Sequence, residues 1–321
     1  MEENNNFFDD NHNPVENQTV PMSDVKILSR CGLYLSLMSL VVFASQYILM
    51  FILKKLDPKA QEADWYGVLL TLVGVVFVGL PVFYGLMKKI PDSETGEKKN
   101  VPVGKFLGYF IICVGCTYAA NYIGSFISAF LAFMMGVNFT NPLENFVYAS
   151  DMTLLLIYGV IIAPIVEELI FRKILLDKLR RFGDLPAILL SGVAFGIFHF
   201  NLSQFFYAAV LGILFAYITI RTNRIIYSIL LHMMINFMGL GFVPLLASDN
   251  NVLGAVFVLI WIFGSMTAGS LLVIFNTKNI LLYRPIKPLV RRKDYVINPG
   301  SIIFIVLGVG IMLLSLVGAG M

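Results

Sequence analysis

Charged side chains are scarce. Asp, Glu, Lys and Arg make up 13% of the 321 residues, about half the density found in soluble domains. That shortage excludes a soluble globular surface and a disordered chain, and a net charge of only +3 gives no reason to expect a nucleic-acid partner. Cysteine is nearly absent too: Cys31, Cys113 and Cys116 cannot build a disulfide scaffold or a zinc ribbon. The Cys113-Val-Gly-Cys116 spacing falls inside an apolar stretch and reads as two buried thiols. The H-E-x-x-H signature of zinc proteases is missing. No basic segment followed by a short apolar stretch and a small-residue cleavage site opens the chain, so a cleaved signal peptide is not expected. No internal repeat is visible, which argues against an inverted-repeat transporter.

What the sequence does have is hydrophobic length. Apolar residues make up 58% of it, and the mean hydropathy is +0.81. Only helices and closed barrels satisfy their backbones in lipid, and these apolar runs far exceed the ~10-residue alternating strands of a barrel. The expected fold is therefore all-α, a polytopic transmembrane helical bundle with about eight or nine spans of about 20 residues each. Nine candidates are legible: 31–53, 65–87, 106–135, 152–171 and beyond, 185–201, 204–220, 225–243, 252–275 and 301–319. The sixth reads as short. Residues 1–30 form a polar tail rich in asparagine (Asn4, Asn5, Asn6, Asn11, Asn13, Asn17), expected to be flexible. Beyond it the chain divides into N-terminal spans (31–149), a central segment with unusual polar residues (150–245) and C-terminal spans (246–321).

Lys and Arg sort the loops. Segments 88–105, 172–184, 221–224 and 276–300 carry most of the basic residues, and nine spans place them all on one side together with the N-terminal tail. The opposite side has Lys54, Lys55 and Lys59. Because the positive side is cytoplasmic, the chain is expected to be a multi-pass protein of the cell membrane with its N-terminus in the cytoplasm. Membrane lipid is its expected surrounding partner; the oligomeric state is not legible.

Ionisable groups at membrane depth are costly and by default mark function. Apart from His12 in the tail, the histidines are His199 and His232, both in apolar stretches. The one acidic pair deep in such a stretch is Glu167-Glu168, within Ala163-Pro-Ile-Val-Glu-Glu-Leu-Ile-Phe-Arg172. Glu168 and Arg172 are four residues apart, with the acid on the N-terminal side, which favours an ion pair. Glu167 is rotated by about 100° from Glu168 on a helix and is left free to act as a base. Phe195 with His199, and His232 with Asn236, repeat the four-residue spacing. If the fourth helix runs on to about Arg181, then Glu167, His199 and His232 come within tilting range of one level. Pro164 is expected to kink that helix and free backbone groups near the acids.

Taken in order, Glu167-Glu168-x-x-x-Arg172, Phe195-x-x-x-His199 and His232-x-x-x-Asn236 resemble the three motifs of the CPBP intramembrane proteases. That family includes the type II CAAX prenyl endopeptidases and the lysostaphin-resistance-protein-A-like (Abi) proteins. The resemblance covers roughly residues 150–245. It implies hydrolysis of a peptide bond in a membrane-associated or prenylated protein or peptide. Glu167 and His199 would activate water, and His232 and Asn236 would donate to the oxyanion. Glu168 and Arg172 would hold the geometry or meet a substrate carboxylate, with Phe195 in support. No cofactor is favoured; the alternative is a zinc ion held by Glu167, His199 and His232. A second class of reading keeps the same fold as a non-catalytic immunity or partner protein, its polar cluster serving packing alone.

Overall fold

The computed structural model describes residues 22–318 except 94, 139–140, 247–250, 281 and 286–287. Residues 1–21 of the Asn-rich tail, with His12, and Lys287 of the last basic loop lie outside the described residues. Among the described residues the secondary structure is helical throughout, and eight helices are long and apolar enough to cross a membrane. They are α1 (Asp24–Leu56), α2 (Tyr66–Met87), α3 (Val103–Met135), α4 (Met152–Phe182), α6 (Leu202–Thr222), α7 (Ile226–Leu246), α8 (Val252–Asn276) and, at the C-terminus, α9 (Pro299–Gly318). A ninth, shorter apolar helix, α5 (Asp184–Phe198), lies between α4 and α6. The protein is a multi-pass membrane protein. Phe77, Phe126, Phe133, Ile260 and Leu314 all point outward, as lipid contact requires.

Local chemistry sets the helix ends. Ser23 caps α1 by accepting from Lys26 N, Asp24 lies in its first turn, and Lys54 and Lys55 lie in its last, each complementing the helix dipole. Between α5 and α6 the chain reverses over three residues. Phe200 adopts the left-handed conformation (φ 51°), and Asn201 caps α6 by accepting from Ser203 N at 3.0 Å. This tight reversal differs from the sequence reading: α5 stops at Phe198 after 15 residues, while α6, expected to be short, has 21. At 1.5 Å per residue α5 is only about 22 Å long.

Packing places the site. α1 packs on α2 and α9, α3 packs on α6 and α8, and α4 and α7 meet in between. The α5–α6 hairpin is a close junction. A Cβ at Gly192 would come within 2.6 Å of the Ile213 nitrogen, and one at Gly212 within 2.7 Å of the Gly192 oxygen. Gly196 likewise faces Ala209. The small residues Gly192 and Gly196 therefore let α5 lie directly against α6.

The basic loops interlock at one end of the bundle. Ser93 N donates to Asp177 O, Lys99 N to Thr222 O and Asp184 N to Tyr283 O. Arg180 donates to Asn223 Oδ1 at 2.8 Å, and Asn223 to Gly96 O. Lys178 reaches Ile90 O and Asp92. At the other end, Asp151 N donates to Asp64 O. The 88–105, 172–184, 221–224 and 276–300 segments thus share a side, as the charge pattern requires.

Candidate active site

Helix α4 carries Glu167 and Glu168 and continues unbroken to Phe182. This is the long form that brings the acids to the level of the histidines. It is not uniformly α-helical. Residues 157–162 and 169–175 are π-helical, and the short α segment Ala163–Glu168 lies between them. A π turn inserts an extra residue and widens the helix, and such turns recur at functional sites. Proline at 164 has no N–H to give the preceding turn, so the first π segment ends where the helix would otherwise need that donor.

Glu168 and Arg172 are fully buried. Arg172 Nε lies 3.1 Å from Glu168 Oε2 as an ion pair, but among the described residues its guanidinium N–H groups find no hydrogen-bond acceptor of good geometry. Aromatic rings surround them instead. The guanidinium carbon sits 4.3 Å from the Phe195 ring centroid, 5.5 Å from that of Phe215 and 5.9 Å from that of Phe171, the geometry of cation–π attraction. Enclosed in this way, Arg172 has no exposed face for a substrate carboxylate.

Helix α7 brings His232 against both acids. Its Nδ1 is 3.2 Å from Glu168 Oε1, and its Nε2 faces Glu167 Oε2 at 3.7 Å. The carboxylate can only accept, so Nδ1 carries the hydrogen in that bond. The two carboxylates, rotated apart on α4, therefore straddle a single imidazole instead of meeting separate neighbours. Glu167 retains some exposure, with 20% of its side chain accessible, whereas that of Glu168 has none.

His199 ends α5. Its Nδ1 lies 2.8 Å from Phe195 O, and a carbonyl acceptor there leaves Nε2 as the free ring nitrogen. Phe195 is the common wall of the site. Its ring is edge-on to His199 (centroids 4.8 Å apart, 87°), to His232 (5.7 Å, 90°) and to Phe171 (5.2 Å, 73°). Ser191 Oγ, donating to Phe171 O at 3.0 Å, ties α5 to α4. Among the described residues no hydrogen bond joins His199 to Glu167; the two interact electrostatically. Asn236, one turn beyond His232, donates to Gly159 O at 2.7 Å.

Sequence reasoning did not single out the polar chain that runs up to this cluster. Asn201 Nδ2 donates to Asn141 Oδ1 and to Gln204 Oε1, both at 3.1 Å, and Gln204 Nε2 donates to Tyr207 Oη at 2.9 Å. Tyr207 and Tyr158 are both electrostatic neighbours of Glu167. The i, i+3 spacing of Asn201, Gln204 and Tyr207 on α6 was the available signal.

Among the described residues, no three His, Cys, Asp or Glu side chains come together as a metal-binding group.

Residues 149–238, the stretch holding all three motifs, match the family described as type II CAAX prenyl endopeptidase Rce1-like. The chain is similar to "Putative membrane peptidase YdiL" of Bacillus subtilis (strain 168), 39% identical over 169 residues covering 50% of this chain and 67% of that protein. No solved structure shows a significant match. The motif order in α4, α5 and α7, the family match across all three and the similarity to a membrane peptidase lead to one assignment: the chain belongs to the CPBP family of intramembrane proteases.

Proposed function

We propose that this protein is an intramembrane endopeptidase that hydrolyses a peptide bond of a membrane-associated or prenylated protein or peptide, without a metal. The observation that carries the reading is the position of His232 between two carboxylates, one neutralised by Arg172 and one not. Glu167 takes a proton from a water held with the free nitrogen of His199. The resulting hydroxide attacks the scissile carbonyl. His232, carrying hydrogens on both ring nitrogens, donates to the oxyanion through Nε2–H together with the second N–H of Asn236, and in a site with little water such donors act at full strength. Glu167 then returns its proton to the leaving amine nitrogen as the C–N bond breaks. Glu168 accepts the Nδ1–H of His232 and so fixes the orientation of the ring.

The test is cleavage of a farnesylated CAAX peptide and of an unprenylated membrane-inserted peptide by the purified protein, before and after exhaustive chelation. Turnover that survives chelation is expected. Turnover lost with chelator and restored by stoichiometric zinc would instead make Glu167, His199 and His232 ligands.

The clustered basic loops support an N-terminus in the cytoplasm and residence in the cell membrane. In intact cells, in a chain lacking its native cysteines, Val252→Cys is expected to react with an impermeant thiol reagent and Arg292→Cys to be protected. The reverse pattern would invert the topology.

A further inference from the structure

Helix α4 leaves Gly159 O without a helical donor, and Asn236 uses that acceptor. In the π-helical stretch each N–H reaches back five residues: Ala163 N–H donates to Tyr158 O. The next carbonyl, Gly159 O, would take its hydrogen from residue 164, which is proline and has none. In an α-helical register Gly159 O would be served by Ala163 N–H, but that hydrogen is already on Tyr158 O. Asn236 Nδ2 reaches Gly159 O at 2.7 Å and supplies the missing donor. A carbonyl in the membrane interior needs such a partner, because water is not there to provide one.

The helices are shaped for this contact. A Cβ at Gly159 would lie 2.6 Å from Leu240 Cδ1, one turn beyond Asn236, so glycine leaves room there for the Leu240 side chain of α7. Leu156 in turn packs on Gly241, its Cδ2 lying 3.3 Å from where a Cβ would be. Residues 238–242 of α7 are themselves π-helical. The contact thus joins a widened turn of α4 to the start of a widened turn of α7, on the same two helices that carry Glu167 and His232.

We infer that Pro164 is a positioning residue: by withholding its N–H it keeps Gly159 O open for Asn236, and this bond sets the register in which α7 presents His232 to Glu167. On this account Asn236 uses one amide hydrogen to hold the helices and keeps the other for the site. The inference about turnover rests on the proposed protease reading; the inference about register does not.

Pro164→Ala restores an N–H and lets the π turn close to the α register, so Gly159 O acquires a helical donor. In a chain lacking its native cysteines, the Leu156→Cys, Gly241→Cys pair reports the register directly. Oxidative cross-linking is expected to be efficient with Pro164 and clearly slower after Pro164→Ala. In the cleavage assay, Pro164→Ala is expected to lower kcat by on the order of tenfold to a hundredfold, the cost of a small misplacement of catalytic groups, with KM little changed. In an Asn236→Ala background the same substitution should have almost no further effect, because it acts through Asn236. Unchanged cross-linking, or an equal loss of kcat with and without Asn236, would overturn the inference. A register change in a parent protein that cleaves nothing would sink the protease reading and leave the register inference standing.

Discussion

Replacing Glu167 with glutamine is expected to lower kcat by about a thousandfold or more, since removal of a general base commonly costs 10²–10⁴, while the protein still folds. Glutamine keeps the size and polarity of the side chain but cannot take a proton from water. Glu167 is the partly exposed member of the pair and makes no ion pair with Arg172, so its loss strands no buried cation. His199→Ala should match it, and the double variant should be no worse than either single one, because the two groups act on one water. The measurements are single-turnover cleavage and detergent-solubilised thermal stability for all three variants. Loss of folded protein in step with activity would instead make the cluster structural, as in the non-catalytic reading.

Glu168→Ala should behave differently from its neighbour, destabilising the fold by about 3–5 kcal/mol, the usual cost of breaking a buried ion pair. It leaves the Arg172 guanidinium with three aromatic rings and without its ion-pair partner, in a position with 0% side-chain exposure. It also removes the acceptor of His232 Nδ1–H. A paired substitution separates the two losses. Glu168→Leu with Arg172→Met replaces the ion pair by apolar groups, which proteins commonly tolerate without net loss of stability. Stability should largely return, but turnover should not, because nothing then orients His232. Unfolding midpoints in denaturant and kcat for the single and paired variants test this. A paired variant that recovers both would show that Glu168 serves packing alone.

Composition and local spacing suffice to read the class of the molecule and the residues worth naming. Apolar runs of spanning length, thin charge and basic residues concentrated in four segments depend only on transfer free energies, which act residue by residue along the chain. The same arithmetic exposed Glu167, Glu168, Arg172, His199 and His232, since a charge in a hydrophobic run is visible without knowing its neighbours. The Glu168–Arg172 pair was legible too, because an i, i+4 contact is made within one helix.

Tertiary structure decided which groups meet across helices. That both glutamates would converge on one imidazole depends on how α7 rotates against α4, and helical spacing says nothing of rotation between helices. Phe195 as the wall shared by His199, His232 and Arg172 depends on the Gly192–Gly212 approach that seats α5 on α6. The early stop of α5 came from a left-handed Phe200 and the Asn201 cap, local features that the uninterrupted hydrophobicity of 185–200 masked. Pro164 announced a disturbed helix, but whether the freed carbonyl would find a donor could not be read from α4 alone. The donor, Asn236, lies 77 residues away, and only the packing of two helices brings it within hydrogen-bond reach.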